Sequence, residues 1–140
     1  MATIRVYTTI EQSRKLAEIL PLESADMKIL PFNEREYRIV PIYDIAVCGR
    51  GDEIYAWSLA ALMKLLPSEF TTKGETTYKI DIRKYALTDD VDIYQIAYGN
   101  YKWHEDGSRS WSDMINSGER EELIDACYDM IISLHELKLL

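Results

Sequence analysis

Side chains able to do chemistry are sparse in this sequence, which holds two histidines and two cysteines in 140 residues. His135 falls in the last turn of a helical pattern, where a cation complements the helix dipole. His104 stands beside Glu105 and Asp106 near a turn, but one histidine and two turn carboxylates lack the fixed ligand spacing of a zinc site. No metal is predicted. Cys127 lies on an apolar stripe, where burial raises a thiol's pKa and makes it inert. Cys48, beside Gly49 and Arg50, has no histidine near it in sequence to act as its base. Without a CxxC spacing, both thiols read as reduced and unpaired.

The remaining polar clusters have plain readings. Cys48-Gly49-Arg50-Gly51-Asp52 carries neither GxxxxGK[ST] nor GxGxxG, so it is a turn and not a phosphate cradle. Asp89, Asp90 and Asp92 lack the ligand spacing and closing Glu of a calcium loop and read as a solvated turn. No cofactor is implied, and the absence of a catalytic constellation predicts a protein that is not an enzyme.

The aromatic and cationic residues around Asp106-Gly107 are more informative. That dipeptide suits a two-residue type I′ hairpin turn. With Asp106 and Gly107 at its centre, His104 pairs with Arg109, Lys102 with Trp111 and Asn100 with Asp113. Alternation then places Tyr94, Ile96, Tyr98, Lys102, His104, Arg109 and Trp111 on one face. Ile93, Ala97, Tyr101, Trp103 and Met114 form the opposite, core-facing side. The first face combines flat rings with cationic tips, an anchor composition of binding surfaces, so Tyr94, Tyr98, Lys102, His104, Arg109 and Trp111 are the candidate binding residues. An ordinary solvated sheet face with cross-strand cation-π pairs explains the same composition. A one-residue slip of the turn would reverse both faces.

Three helices and several strands must position this surface. Thr8 with Glu11, or Thr9 with Gln12, fits a capping box for a helix near 9–20, whose apolar face is Ile10, Leu16, Ala17 and Leu20. Residues 21–36 read as irregular, and Tyr37 to Val47, interrupted by Pro41, as an edge strand or two short strands. Ala56 to Leu66, closed by Pro67, is apolar on most sides and predicts a buried helix. From Thr77 the period becomes two, with Tyr78, Ile80 and Ile82 on one side, and the runs Val91 to His104 and Ser108 to Ile115 complete a three-stranded meander. Leu123, Cys127, Met130, Ile131, Leu134 and Leu137 define a final helix over about 120–138.

The expected architecture is a single α+β domain over 1–140, with about three helices packed on one face of an antiparallel sheet. Its core is expected from Trp57, Leu62, Leu65, Leu66, Ile80, Ile82, Cys127, Met130, Ile131 and Leu134. The 47% hydrophobic content is sufficient for such a core. Net charge is −8, from 16 Lys+Arg against 24 Asp+Glu, and most of the excess lies in residues 71–140. A field of this sign opposes binding to nucleic acid and to anionic membranes and favours a basic partner surface. No run approaches the ~18 apolar residues of a membrane span, and Met1 to Thr9 does not read as a signal peptide, so a cytoplasmic protein is expected.

Glu11 to Met27, Ala56 to Pro67 and Glu121 to Leu140, about a third of the chain, resemble segments of an uncharacterised group of small acidic proteins from phages and mobile elements of Bacteroides-type bacteria. Members of that group often begin the last helix with Asn-Pro, where this chain has Glu122-Leu123, so its cap is placed upstream at Ser117. The resemblance implies an accessory protein in a bacterial host cell and supplies no functional residues. The leading expectation is therefore a non-catalytic protein that binds a host or element protein, with inhibition of host defence as one form. The alternatives are a small-molecule or nucleotide-signal sponge, stacking its ligand beside Lys102 and Arg109, an enzyme with a site assembled from scattered residues, and a virion or assembly component.

Overall fold

Backbone hydrogen bonding divides the strands of the chain into two antiparallel sheets, seen in a computed structural model that describes residues 4–31, 36–43 and 53–140. Chain contacts gather into two compact units, Met1–Leu65 and Leu66–Leu140, with one sheet in each. The protein is α+β, with three α-helices among the described residues. These α-helices occur in both units, two in the first and one in the second.

In the first unit, α1 (Ile10–Ile19) begins at Thr9. The Gln12 N–H donates to Thr9 Oγ1 and the Thr9 N–H to Gln12 Oε1, both at 3.1 Å, so two of the free donors at the helix start are satisfied reciprocally. The buried side of α1 is Gln12, Ser13 and Leu16, with Leu20 following, whereas Ala17 is exposed. Thr8 takes a different role. Its hydroxyl accepts from the Trp57 N–H (3.1 Å) and lies 2.7 Å from Ser13 Oγ in the interior.

The three-stranded sheet has the order β2-β1-β3, formed by β1 (Met27–Pro31), β2 (Tyr37–Pro41) and β3 (Ile54–Ala56). β1 lies within the stretch read from sequence as irregular. Its central residues Lys28, Ile29 and Leu30 are all buried, and a strand buried on both faces shows no alternation. Lys28, 7% exposed, faces Glu53 at 3.8 Å. β2 ends at Pro41, and Ile42 and Tyr43 form a turn where the sequence suggested further strand; residues 44–52, with the rest of that run and the expected turn at 48–52, lie outside the described residues.

The predicted buried helix over 56–66 is shorter. α2 spans Leu59–Leu65, and Leu62 is its one buried residue. Ala56 is instead the end of β3 and Trp57 a buried link, its indole N–H donating to Ser24 Oγ at 2.9 Å. The helix starts late because Ser58 is held by Asp26, which accepts from both its N–H (2.8 Å) and its hydroxyl, while Ser58 Oγ in turn accepts from the Ala61 N–H.

The second unit is a four-stranded meander, β4 (Glu69–Thr71), β5 (Thr77–Ala86), β6 (Asp92–Trp103) and β7 (Arg109–Asn116), followed by α3 (Leu123–Glu136). Ile124, Ala126, Cys127, Met130, Ile131 and Leu134 are buried on α3, which packs against β6. Of the expected core, Trp57, Leu62, Leu66, Cys127, Met130, Ile131 and Leu134 are buried, while Leu65 and Ile80 are half-buried. Ile82 is 43% exposed, because α3 is centred on β6 and leaves the far part of β5 uncovered. Ser117 does not cap α3. Its hydroxyl accepts from the Ile96 N–H at 2.9 Å, and the cap position is Glu122, which makes no side-chain capping bond. Arg120 anchors this end, pairing through its backbone with Tyr94 and through its guanidinium with Asp129 (2.8 Å) and Asp125 (3.6 Å).

Candidate functional site

The hairpin joining β6 and β7 is one residue out of the expected register. Trp103 pairs with Arg109, Lys102 with Ser110 and Tyr101 with Trp111. The cause is the loop: the His104 N–H bonds to the Ser108 carbonyl at 2.8 Å and the Gly107 N–H to the His104 carbonyl at 3.0 Å, enclosing Glu105, Asp106 and Gly107. Gly107 has φ +84°, the left-handed residue that closes a three-residue loop built on a type I turn. Asp106 stabilises it by accepting from the Ser108 N–H at 2.9 Å and the Ser108 hydroxyl at 2.5 Å. These bonds hold the Asp106 carboxyl below its ordinary pKa.

This shift separates the predicted binding residues. Tyr98 is fully buried beneath α3, its hydroxyl donating to the Pro67 carbonyl at 2.5 Å and its ring 5.1 Å from Phe70. Burial drives its pKa upward. Tyr98 is therefore a core residue and not an accessible binding group. Tyr94 is half-buried on the same face, with Lys84 Nζ 5.7 Å from its ring. Lys102 is exposed, and the exposed His104 places Nε2 2.7 Å from Ser110 Oγ. Arg109 and Trp111 belong to the opposite face, together with Tyr101 and Trp103, which the sequence had assigned to the core.

That opposite face carries a connected aromatic and ionic layer. The Arg109 guanidinium lies 4.0 Å from the Tyr101 ring centre and 5.8 Å from that of Trp103, and Tyr101 meets Trp111 edge to face at 5.2 Å. Trp111 Nε1 donates to Asp113 at 2.6 Å. Arg83 grips the same carboxylate through two bonds of 3.0 and 2.5 Å, and also reaches Asp81 (2.7 Å) and Gln95 (3.0 Å). Arg83 thereby holds the Asp113 carboxyl below the usual carboxylate range, with Trp111 adding to the effect. The Asp113 and Asp81 bonds push the Arg83 pKa up in turn.

Gly99 makes room for this arrangement. A Cβ there would meet Trp111 Cε2 and Cζ2 at 2.9 Å and the Ser112 carbonyl oxygen closer still, so the indole lies across bare backbone. The aromatic rings of the layer most open to solvent are Trp103, 71% exposed, and Tyr101, 50% exposed. Sequence reasoning missed this layer, although two signals were present: a glycine inside a strand, and the pair Asp81 and Arg83 two apart on one strand face.

Elsewhere, a cleft of about 520 Å³ in the first unit is lined by Glu23, Ser24, Asp26, Ala61 and Lys64 among others. Both carboxylate oxygens of Asp26 are already bound by Ser58. Cys127 is buried, and its thiol is pushed up to about 12 by burial. Cys48 lies outside the described residues. Among the described residues no cluster of three His, Cys, Asp or Glu is placed to hold a metal ion, and no helix is long and apolar enough to cross a membrane. No protein family, no curated protein and no solved structure matches the chain.

Proposed function

We propose that the protein is a non-catalytic binding protein whose contact surface is the outer face of the β6–β7 hairpin, with Trp103, Tyr101 and Arg109 as its anchors. One observation carries the reading: two large aromatics stand open to solvent on β6, on the same face where Arg83 ties β5 to Asp113 of β7 and Gln95 of β6. A rigid aromatic loses little entropy on binding and supplies large contact area, which is why such residues dominate interface energies. The partner is a protein, and the net charge of −8 favours one with a basic surface. A host or mobile-element protein, including a host defence component, fits this description. Cytoplasmic action in a bacterial host cell belongs to the same proposal.

A pulldown from the native host with wild type and with Trp103→Ala and Tyr101→Ala variants tests it. Loss of the same partner from both variants, at unchanged melting temperature, is the expected result. Retention of that partner by both would remove the hairpin from consideration. A planar anionic ligand such as a nucleotide is a second reading, favoured by Arg109, which is stacked on Tyr101 with no carboxylate in ion-pair reach among the described residues. Lys102, which was to share that ligand, lies on the other face, so titration with nucleotides is expected to give no heat.

A further inference from the structure

Among the described residues the outer edge of β7 pairs with no strand, since the sheet order places only β6 beside it. The loop bond from His104 to Ser108 fixes which backbone groups face that edge. In an antiparallel ladder hydrogen-bonded and non-bonded pairs alternate, so Lys102 with Ser110 and Asn100 with Ser112 are the bonded pairs. The N–H and C=O groups of Arg109, Trp111 and Asp113 therefore point away from the sheet. Arg109, Ser110 and Asp113 are exposed, no proline interrupts the strand, and the register holds from Arg109 to Asp113 before the irregularity opposite Tyr98 and Gly99. Edges of this kind are templates for a further strand unless charge, proline or a bulge blunts them.

The side chains on this edge are complementary to themselves. A two-fold axis at Trp111 would set Trp111 against its copy, Arg109 against Asp113 of a second chain, and Ser110 against Ser112. Both ionic positions then oppose unlike charges on one face, and small hydroxyls meet on the other. Alternative two-fold registers that use the same outward groups lose this match: an axis at Arg109 or at Asp113 brings a like charge against itself, and an axis at Ser110 or at Ser112 sets Arg109 or Asp113 against Trp111 in place of an opposite charge. We propose that the protein forms a homodimer by antiparallel pairing of β7 with β7 of a second copy, in the register centred on Trp111. The two four-stranded sheets become one of eight strands. Because the axis stands perpendicular to the sheet, both aromatic faces lie on the same side. The inference rests on the strand edge and does not depend on what the hairpin face binds.

Sedimentation of purified full-length protein at high micromolar concentration, with two designed variants, tests the register. In Ser110→Lys with Ser112→Lys, lysines oppose lysines across the axis; in Ser110→Lys with Ser112→Glu, unlike charges oppose. Circular dichroism confirms that both are folded. The expected result is a dimer for wild type and for the lysine-glutamate variant, and a monomer for the double lysine variant. A monomeric wild type overturns the proposal, as does loss of the dimer in both folded variants or in neither.

Discussion

Gly99 shows how a single residue fixes the character of a surface. The Trp111 indole occupies the space above its backbone, and any Cβ would press on that ring and on the Ser112 carbonyl, a backbone group that cannot swing away. Gly99→Ala is therefore expected to destabilise the protein by about 1–3 kcal/mol, as overpacking commonly does. It should also move Trp111, read as a change in tryptophan near-UV circular dichroism. Asp113 gives a prediction in pH. Its folded pKa is depressed, chiefly by Arg83, so it contributes stability above the unfolded carboxylate value, and that contribution is lost as pH falls through the folded value. Asp113→Asn should thus be less stable than wild type at neutral pH, with the gap closing in acid denaturation profiles. What the sequence revealed at this scale was residue type: Arg109 and Trp111 were expected beside Tyr94, Tyr98, Lys102 and His104, and the structure places them with Tyr101 and Trp103 instead. Their neighbours Tyr101 and Trp103 were expected in the core and are exposed, because alternation along β6 separates its two faces without saying which one the helix covers.

At the scale of elements, the loop after β6 decides that register. Asp-Gly suits both a two-residue turn and a three-residue loop with glycine in the left-handed position, and the sequence does not choose between them. The structure chooses the longer loop, with Asp106 accepting from Ser108, and the β7 side chains change partners: Arg109 and Trp111 join the Tyr101 and Trp103 face of β6 instead of the Lys102 face. The final helix was legible because its apolar stripe is long and its period unambiguous. β1 was not, because a five-residue strand buried on both faces carries no alternation and is flanked by segments rich in proline and charge. The stripe of α3 supports a quantitative expectation. Ile131 is fully buried against the meander, and Ile131→Ala should cost about 2–5 kcal/mol in chemical denaturation. A loss below about 1 kcal/mol would mean that the site collapses around the missing methyls.

The whole molecule combines two small antiparallel sheets with an acidic balance that opposes polyanions. Its class was readable from the mixture of periods along the chain. Its division into Met1–Leu65 and Leu66–Leu140 was not, because no Gly-rich or Pro-rich linker separates them and the boundary falls between Leu65 and Leu66 at the end of α2. Cys127 offers a probe of the second unit as a whole. It is buried between α3 and the meander, and its thiol is pushed up to about 12, so at neutral pH it is neither ionised nor reachable. In a Cys48→Ser background, native protein is expected to resist a thiol reagent, with labelling of Cys127 proceeding only as fast as the second unit opens. Ile131→Ala, by weakening the packing around the same stripe, should speed that labelling. Prompt stoichiometric labelling of the unmutated core at neutral pH would show instead that α3 is not seated on β6 in solution.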